Sequence, residues 1–196
     1  MFQKVLFRFS CYFLVLVFCL QFQPLYGAIK DDKEFIGKQA PLLRGKKAIG
    51  RGLLSLDKLM KEYKGLKKDK NGKPVAIWKH NVVVLNFFST DCIPCMKEIP
   101  TYNKLAKKYE NKDVKMIYIN VEADVNPVDL RLFVARKNIR VPMMIPDQRV
   151  AVKNYNAYRL PRLVIINKQQ KIEHIITGFN ENLDQEISAI VDRLLK

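Results

Sequence analysis

The chain reads as an α/β domain: a central mixed sheet with helices on both faces, preceded by an N-terminal extension. Three observations predict this. Val82 to Phe88 and Val114 to Val121 are apolar almost throughout, as strands buried on both faces are. Segments with helical start signals follow each of them, so strand and helix alternate. Near the C-terminus, Leu163 to Ile166 and Ile172 to Thr177 flank the polar stretch Asn167-Lys168-Gln169-Gln170-Lys171, an antiparallel hairpin expected at one sheet edge.

The elements are justified in chain order. Lys4 and Arg8 open a segment that runs uncharged from Phe9 to Leu20, turns polar at Gln21 and reaches small residues at Gly27-Ala28. A basic start, a short apolar core and a small-residue end predict a cleaved secretory signal over residues 1–27. Twelve helical residues reach only ~18 Å, short of the ~30 Å hydrocarbon core, which disfavours a retained anchor. Leu16-Val17-Phe18-Cys19 resembles a lipoprotein box except for the bulky Phe18, so lipid anchoring is the alternative. Residues 28–196 then form one domain with a sizeable core.

After a polar lead-in comes Gly37-Lys38-Gln39-Ala40-Pro41. Ser55 is placed to cap a short helix carrying Leu56, Leu59, Met60 and Tyr63 on one face. Lys67 to Lys73, with Asn71-Gly72, reads as an exposed basic loop with a turn. Val82 to Phe88 is the first buried strand, with Trp78 expected to pack at its start. Cys92 to Tyr109 is a helix kinked near Pro100 by the missing N–H. Val114 to Val121 is the second buried strand. Asn126-Pro127, a cap followed by proline at the first helical position, starts a helix that runs to Lys137. Val141 to Ile145 is extended but irregular between prolines, and Val150 to Asn154 is a helical turn. Leu183, Ile187, Ile190, Val191 and Leu194 mark a final amphipathic helix.

The formal charge is +16, with lysines spread along the chain rather than gathered. No nucleic-acid motif accompanies them, so no nucleic-acid partner is expected; anionic membrane surfaces and acidic proteins are the partners such charge favours. Four cysteines are present, and cleavage of the leader removes Cys11 and Cys19. The two that remain are Cys92-Ile93-Pro94-Cys95, set between a buried strand and a helix. Thiols two residues apart at a helix N-terminus can close to a disulfide and reopen, and the helix end stabilises the Cys92 thiolate. That context points to thiol–disulfide exchange. A structural zinc site needs four ligands, and His80 and His174 show no ligand spacing to the pair. A Cu(I) carrier using the thiolates is the remaining alternative from another class.

With those residues in place, the chain resembles the thioredoxin superfamily, and within it the exported TlpA/ResA-like thiol–disulfide oxidoreductases. Asn86-Phe87-Phe88-Ser89-Thr90-Asp91-Cys92-Ile93-Pro94-Cys95 is similar to that group's strand-then-CxPC signature. Leu160-Pro161-Arg162-Leu163 looks like its cis-proline loop, and Gly37 to Pro41 like its opening Gly-x-x-Ala-Pro. The likeness runs from Ile36 to the C-terminus and is poorest over Leu42 to Asn81. Asp91 stands where the family usually has tryptophan, and Arg162 where threonine is common.

The resemblance implies a thioredoxin-like fold and a monomeric oxidoreductase located in the periplasm or otherwise outside the cytoplasm. Cys92 would be the nucleophile and Cys95 the resolving thiol. Pro161 would face the pair, Leu160 would offer its backbone to an extended substrate, and Glu122, just after the second buried strand, would exchange the Cys95 proton. No cofactor and no metal are expected, because the electrons reside in the thiols. Protein disulfides are the expected substrates, apocytochrome c among them, and a membrane-bound thiol carrier the expected donor. An oxidant or isomerase would use the same residues in the opposite direction.

Overall fold

The computed structural model describes residues 31–196; the expected leader, with Cys11 and Cys19, lies outside them. A 3-10 turn, Asp32–Glu34, precedes strands β1 (Arg44–Lys47) and β2 (Leu53–Ser55) and helix α1 (Leu56–Met60). Strands β3 (Lys61–Lys68), β4 (Pro74–His80) and β5 (Val82–Phe88) lead into α2 (Ile93–Lys108). Next come β6 (Val114–Asn120), α3 (Pro127–Arg136), β7 (Met143–Pro146) and α4 (Gln148–Tyr155). Strands β8 (Arg162–Ile166) and β9 (Ile172–Thr177) and helix α5 (Leu183–Leu195) complete the chain.

Seven strands form one sheet in the order β2-β1-β7-β6-β5-β8-β9. Strands β7, β6 and β5 run parallel, and β8 and β9 close one edge antiparallel. All seven residues of β5 are buried, because side chains alternate between two covered faces. Val82, Val84 and Phe88 meet α2, α3 and α5 through Ile99, Phe133 and Ile187. Val83, Leu85 and Phe87 meet α1 and α4 through Met60, Ala151 and Tyr155. The expected mixed sheet with helices on both faces is the observed one.

Four local expectations change. Tyr63 is not on the first helix, which ends at Met60; Ser55 bonds the Asp57 carboxylate instead of capping the backbone. Lys67 and Lys68 are not loop residues but the end of β3, which pairs with β4 as a separate two-stranded ribbon. The turn between them is real: the Asp69 carboxylate accepts from the N–H groups of Asn71 and Lys73 at 2.8 and 2.9 Å. Trp78 therefore lies on β4, 47% exposed, and does not pack at the start of β5. The run before Pro146 is a regular strand, β7, paired with β6 on one side and β1 on the other. A Cβ on Gly45 of β1 would lie 2.3 Å from the Ile145 carbonyl oxygen, so only glycine permits that close approach. No helix among the described residues is long and apolar enough to cross a membrane.

Candidate active site at the carboxyl end of the central strand

Strand β5 ends at Phe88, and the loop Ser89–Asp91 delivers Cys92 to the N-cap of α2. Cys92 has extended backbone, and its Sγ accepts the N–H of Cys95 at 3.2 Å, satisfying one of the helix's free donors. Pro94 falls in the first turn, where its missing N–H costs the helix nothing. The two sulfurs are joined as a disulfide, with Cα atoms 5.3 Å apart. Their surroundings differ. Cys92 is half-buried, whereas Cys95 is 3% exposed and belongs to the core against Ile99 and Tyr102.

Leu160–Pro161 is a cis peptide. Pro161 is buried, and its carbonyl accepts from Gly178 N–H at 2.8 Å, which fixes the loop to the end of β9. Leu160 packs against the same apolar cluster as Cys92 and Cys95. Its backbone N–H and C=O have no hydrogen-bond partner among the described residues. Arg162, the residue after the proline, is 1% exposed, and each of its three guanidinium nitrogens is engaged. Nε donates to Tyr155 C=O at 2.6 Å, Nη1 to the Thr177 hydroxyl at 2.6 Å, and Nη2 to the Asp32 carboxylate at 2.8 Å.

Glu122 lies where the sequence puts it, just beyond β6, but its contacts point to the loop before Cys92. One carboxylate oxygen accepts both the N–H and the hydroxyl of Thr90, at 3.1 and 2.7 Å. It makes no hydrogen bond to Cys95. The carboxyl that shares the helix with Cys95 is Glu98, which sequence reasoning missed. It is 2% exposed, three residues beyond Cys95, and so a neighbour on the same helix face. One oxygen accepts the Asn180 N–H at 3.2 Å and the other has no partner among the described residues. Burial raises its pKa from 4.5 to about 7, against the single Asn180 hydrogen bond, which lowers it. A charged residue at a core position of an amphipathic helix is the signal that could have found it.

His174 pairs with Glu186 at 2.8 Å on the outer edge of β9, and His80 is exposed at the end of β4. Among the described residues, no group of three or more His, Cys, Asp or Glu side chains comes together that could hold a metal ion.

Residues 37–192 match the Redoxin family. A thiol–disulfide oxidoreductase ResA of Bacillus thuringiensis subsp. konkukian is 30% identical over 168 residues, 82% of each chain. The ResA of Geobacillus kaustophilus is 28% identical over 147 residues, 74% of this chain and 80% of its own. Among solved structures, one described as a thiol:disulfide interchange protein DsbE of Chlorobium tepidum superposes with a TM-score of 0.65 at 19% identity, over 82% of this chain and 98% of that one. A protein disulfide isomerase structure from Bacteroides thetaiotaomicron gives 0.64 at 20% identity, over 82% and 89%. These two establish the thioredoxin-like fold; the sequence relatives carry the chemistry. With its paired cysteines at the head of α2, the chain belongs to the redoxin family, as a ResA-like thiol–disulfide oxidoreductase of the thioredoxin superfamily.

Proposed function

We propose that the protein is exported and reduces disulfides of other exported proteins, with Cys92 as nucleophile and Cys95 as resolving thiol. The observation that carries this assignment is the asymmetry of the pair: Cys92 is reachable and its sulfur accepts an N–H of the helix end, while Cys95 is buried beneath it. In the dithiol form the Cys92 thiolate attacks one sulfur of a substrate disulfide, and the other substrate sulfur leaves as thiolate. Cys95, deprotonated, then attacks the Cys92 sulfur of the mixed disulfide. The second substrate thiolate leaves, the Cys92–Cys95 disulfide forms, and two electrons have passed to the substrate. A membrane-bound thiol donor would reverse these steps to recharge the enzyme. Apocytochrome c, whose cysteines must be reduced before haem is attached, is a fitting client.

The flanking residues take supporting roles in this reading. The unpaired backbone of Leu160 can bond an extended substrate segment in the manner of an added strand, with Pro161 shaping the loop that presents it. Glu98, with a pKa raised to about 7, suits the proton that Cys95 must give up. Glu122, through Thr90, is assigned to holding the loop that presents Cys92. The leader over residues 1–27 supplies the export signal and leaves residues 28–196 as the working domain.

The test is a pair of variants. Cys92→Ser should abolish reduction of a small disulfide substrate, whereas Cys95→Ser should accumulate a long-lived mixed disulfide through Cys92. Mass spectrometry of the trapped complexes names the clients. Trapping through Cys95 in the Cys92→Ser variant would reverse the assigned roles, and retained activity in Cys92→Ser would overturn them.

A further inference from the structure

We propose that the β3–β4 ribbon docks the protein on an anionic phospholipid surface, with the dithiol held at the far end of the sheet. The ribbon stands apart from the seven-stranded sheet and exposes a large share of its side chains. Register pairs Tyr63 with Trp78 and Leu66 with Ala76, so these side chains share one face. Tyr63 and Trp78 meet edge-on at 5.7 Å, and Lys61 Nζ lies 5.4 Å above the indole. Tyr63, Leu66 and Trp78 are 55%, 63% and 47% exposed; Val75 and Ile77, on the other face, are exposed as well. An apolar surface of this extent, uncovered on both faces of a ribbon, marks an interaction site.

Charge names the occupant. Residues 61–80 carry seven lysines against two acids, Glu62 and Asp69. Only Lys64 and Lys79 are paired with carboxylates, leaving Lys61, Lys67, Lys68, Lys70 and Lys73 without an ion pair among the described residues. A cationic tip beside tryptophan, tyrosine and aliphatic side chains suits the headgroup region, where amphipathic rings and lysines both find partners. A single protein partner would cover one face of the ribbon and leave the other wet. A lipid headgroup layer surrounds the ribbon and covers both.

The orientation follows from the base. Lys79 bonds Asp113 at 2.6 Å, Lys115 bonds Glu62 at 2.7 Å, and Asn81 Nδ2 donates to the Glu62 carboxylate at 3.3 Å. These contacts pin the ribbon to the starts of β5 and β6. Cys92 follows the opposite end of β5, about 23 Å along a seven-residue strand. Docking by the ribbon therefore leaves the dithiol facing the aqueous compartment.

Trp78 is the only tryptophan in the chain, so its fluorescence reads this surface in the full-length protein whatever the N-terminal segment does. Vesicles of equal parts phosphatidylcholine and phosphatidylglycerol should shift Trp78 emission to the blue and shield it from an aqueous quencher. Pure phosphatidylcholine vesicles should not. Replacing Lys67, Lys68, Lys70 and Lys73 with Gln should weaken the response more than a hundredfold, since each lysine near such a surface contributes about fivefold, ~1 kcal/mol. Circular dichroism and reduction of a small disulfide substrate, both unchanged, would show that this variant is folded. An emission spectrum indifferent to the mixed vesicles would overturn the proposal, as would an undiminished response in the lysine variant. A shift with polyglutamate but not with vesicles would overturn it in favour of an acidic protein surface.

Discussion

Two ionisable side chains are buried close to the catalytic elements, and the protein treats them in opposite ways. Arg162, directly after the cis-proline, spends its guanidinium on Tyr155, Thr177 and Asp32, and Thr177 in turn donates to Asp32 at 3.1 Å. This joins the N-terminal turn, the end of α4 and strands β8 and β9. Burial works against the Asp32 carboxylate, but Arg162, with Thr177 and Asn156, brings its pKa below the usual range. Glu98, three residues after Cys95, has one N–H donor and an oxygen with none. A buried charge with each of its nitrogens partnered is a fixed brace; a buried carboxyl left short of partners exchanges its proton near neutrality. The same depth of burial thus serves structure in one place and reactivity in the other.

The comparison breaks most visibly at Arg162. Replacing it with Met should cost about 4 kcal/mol, because it strands the Tyr155 carbonyl and leaves Asp32 without its cation. For a domain of this size the melting temperature should fall by about 10 °C, read by circular dichroism. Arg162→Lys keeps the charge but not the planar fork, so its loss should be intermediate. A loss below ~1 kcal/mol in the Met variant would mean that the brace is ornamental.

Glu98 should behave the other way. Its pKa is raised from 4.5 in the unfolded chain to about 7 in the fold, so its effect on stability is favourable at low pH. Below pH 4.5 both states hold the proton and burial of the carboxyl costs little. Between 4.5 and 7 the unfolded chain ionises while the fold does not, and stability drains away as pH rises. A difference of this size amounts to ~3 kcal/mol. Glu98→Gln should therefore match wild type at pH 4 and exceed it at pH 8, the gap opening across that window in denaturant titrations. The same variant should flatten any inflection near pH 7 in the rate of substrate reduction. A stability gap independent of pH would remove the proton-exchange role.

This contrast also shows what the sequence could reveal. The buried strands, the CxPC helix and the C-terminal hairpin have local signatures: continuous apolar runs, a cysteine spacing, apolar segments flanking a polar turn. The cis-proline loop was legible only through its likeness to a known family. Arg162 has no such signature, since a charged letter reads as surface until the fold places it, and Glu98 has only its place on the buried stripe of α2 with Cys95, Ile99 and Tyr102. Glu122 was legible as a position after the second strand, yet its partner, Thr90, depends on how the loop turns. The ribbon of β3 and β4 escaped for another reason. Its lysine-rich strands are exposed on both faces, so no alternation distinguishes them from a loop. Likewise β1 and β2, short and joined through Gly50 and Gly52, enter the sheet because β1 pairs with β7 and β2 with β1, not by any pattern of their own.

The smallest effect sharpens the comparison at a third carboxyl, one that is exposed. Asp91 precedes Cys92 and takes a hydrogen bond from the Ser89 hydroxyl, which keeps the carboxylate in the loop beside the nucleophile. Its charge opposes the helix end that favours the Cys92 thiolate. Two like charges ~4 Å apart repel by about 1 kcal/mol in water, a roughly fivefold change in thiolate population while the thiol predominates. Asp91→Asn should accordingly raise the rate of Cys92 alkylation at neutral pH several-fold. Because nucleophilicity falls as a thiol becomes more acidic, attack on a disulfide should gain less than alkylation-derived thiolate content implies. Raising the salt concentration should shrink the difference between wild type and variant, since both groups meet solvent. An unchanged alkylation rate would show that Asp91 is a solvated loop residue whose charge the Cys92 sulfur does not feel.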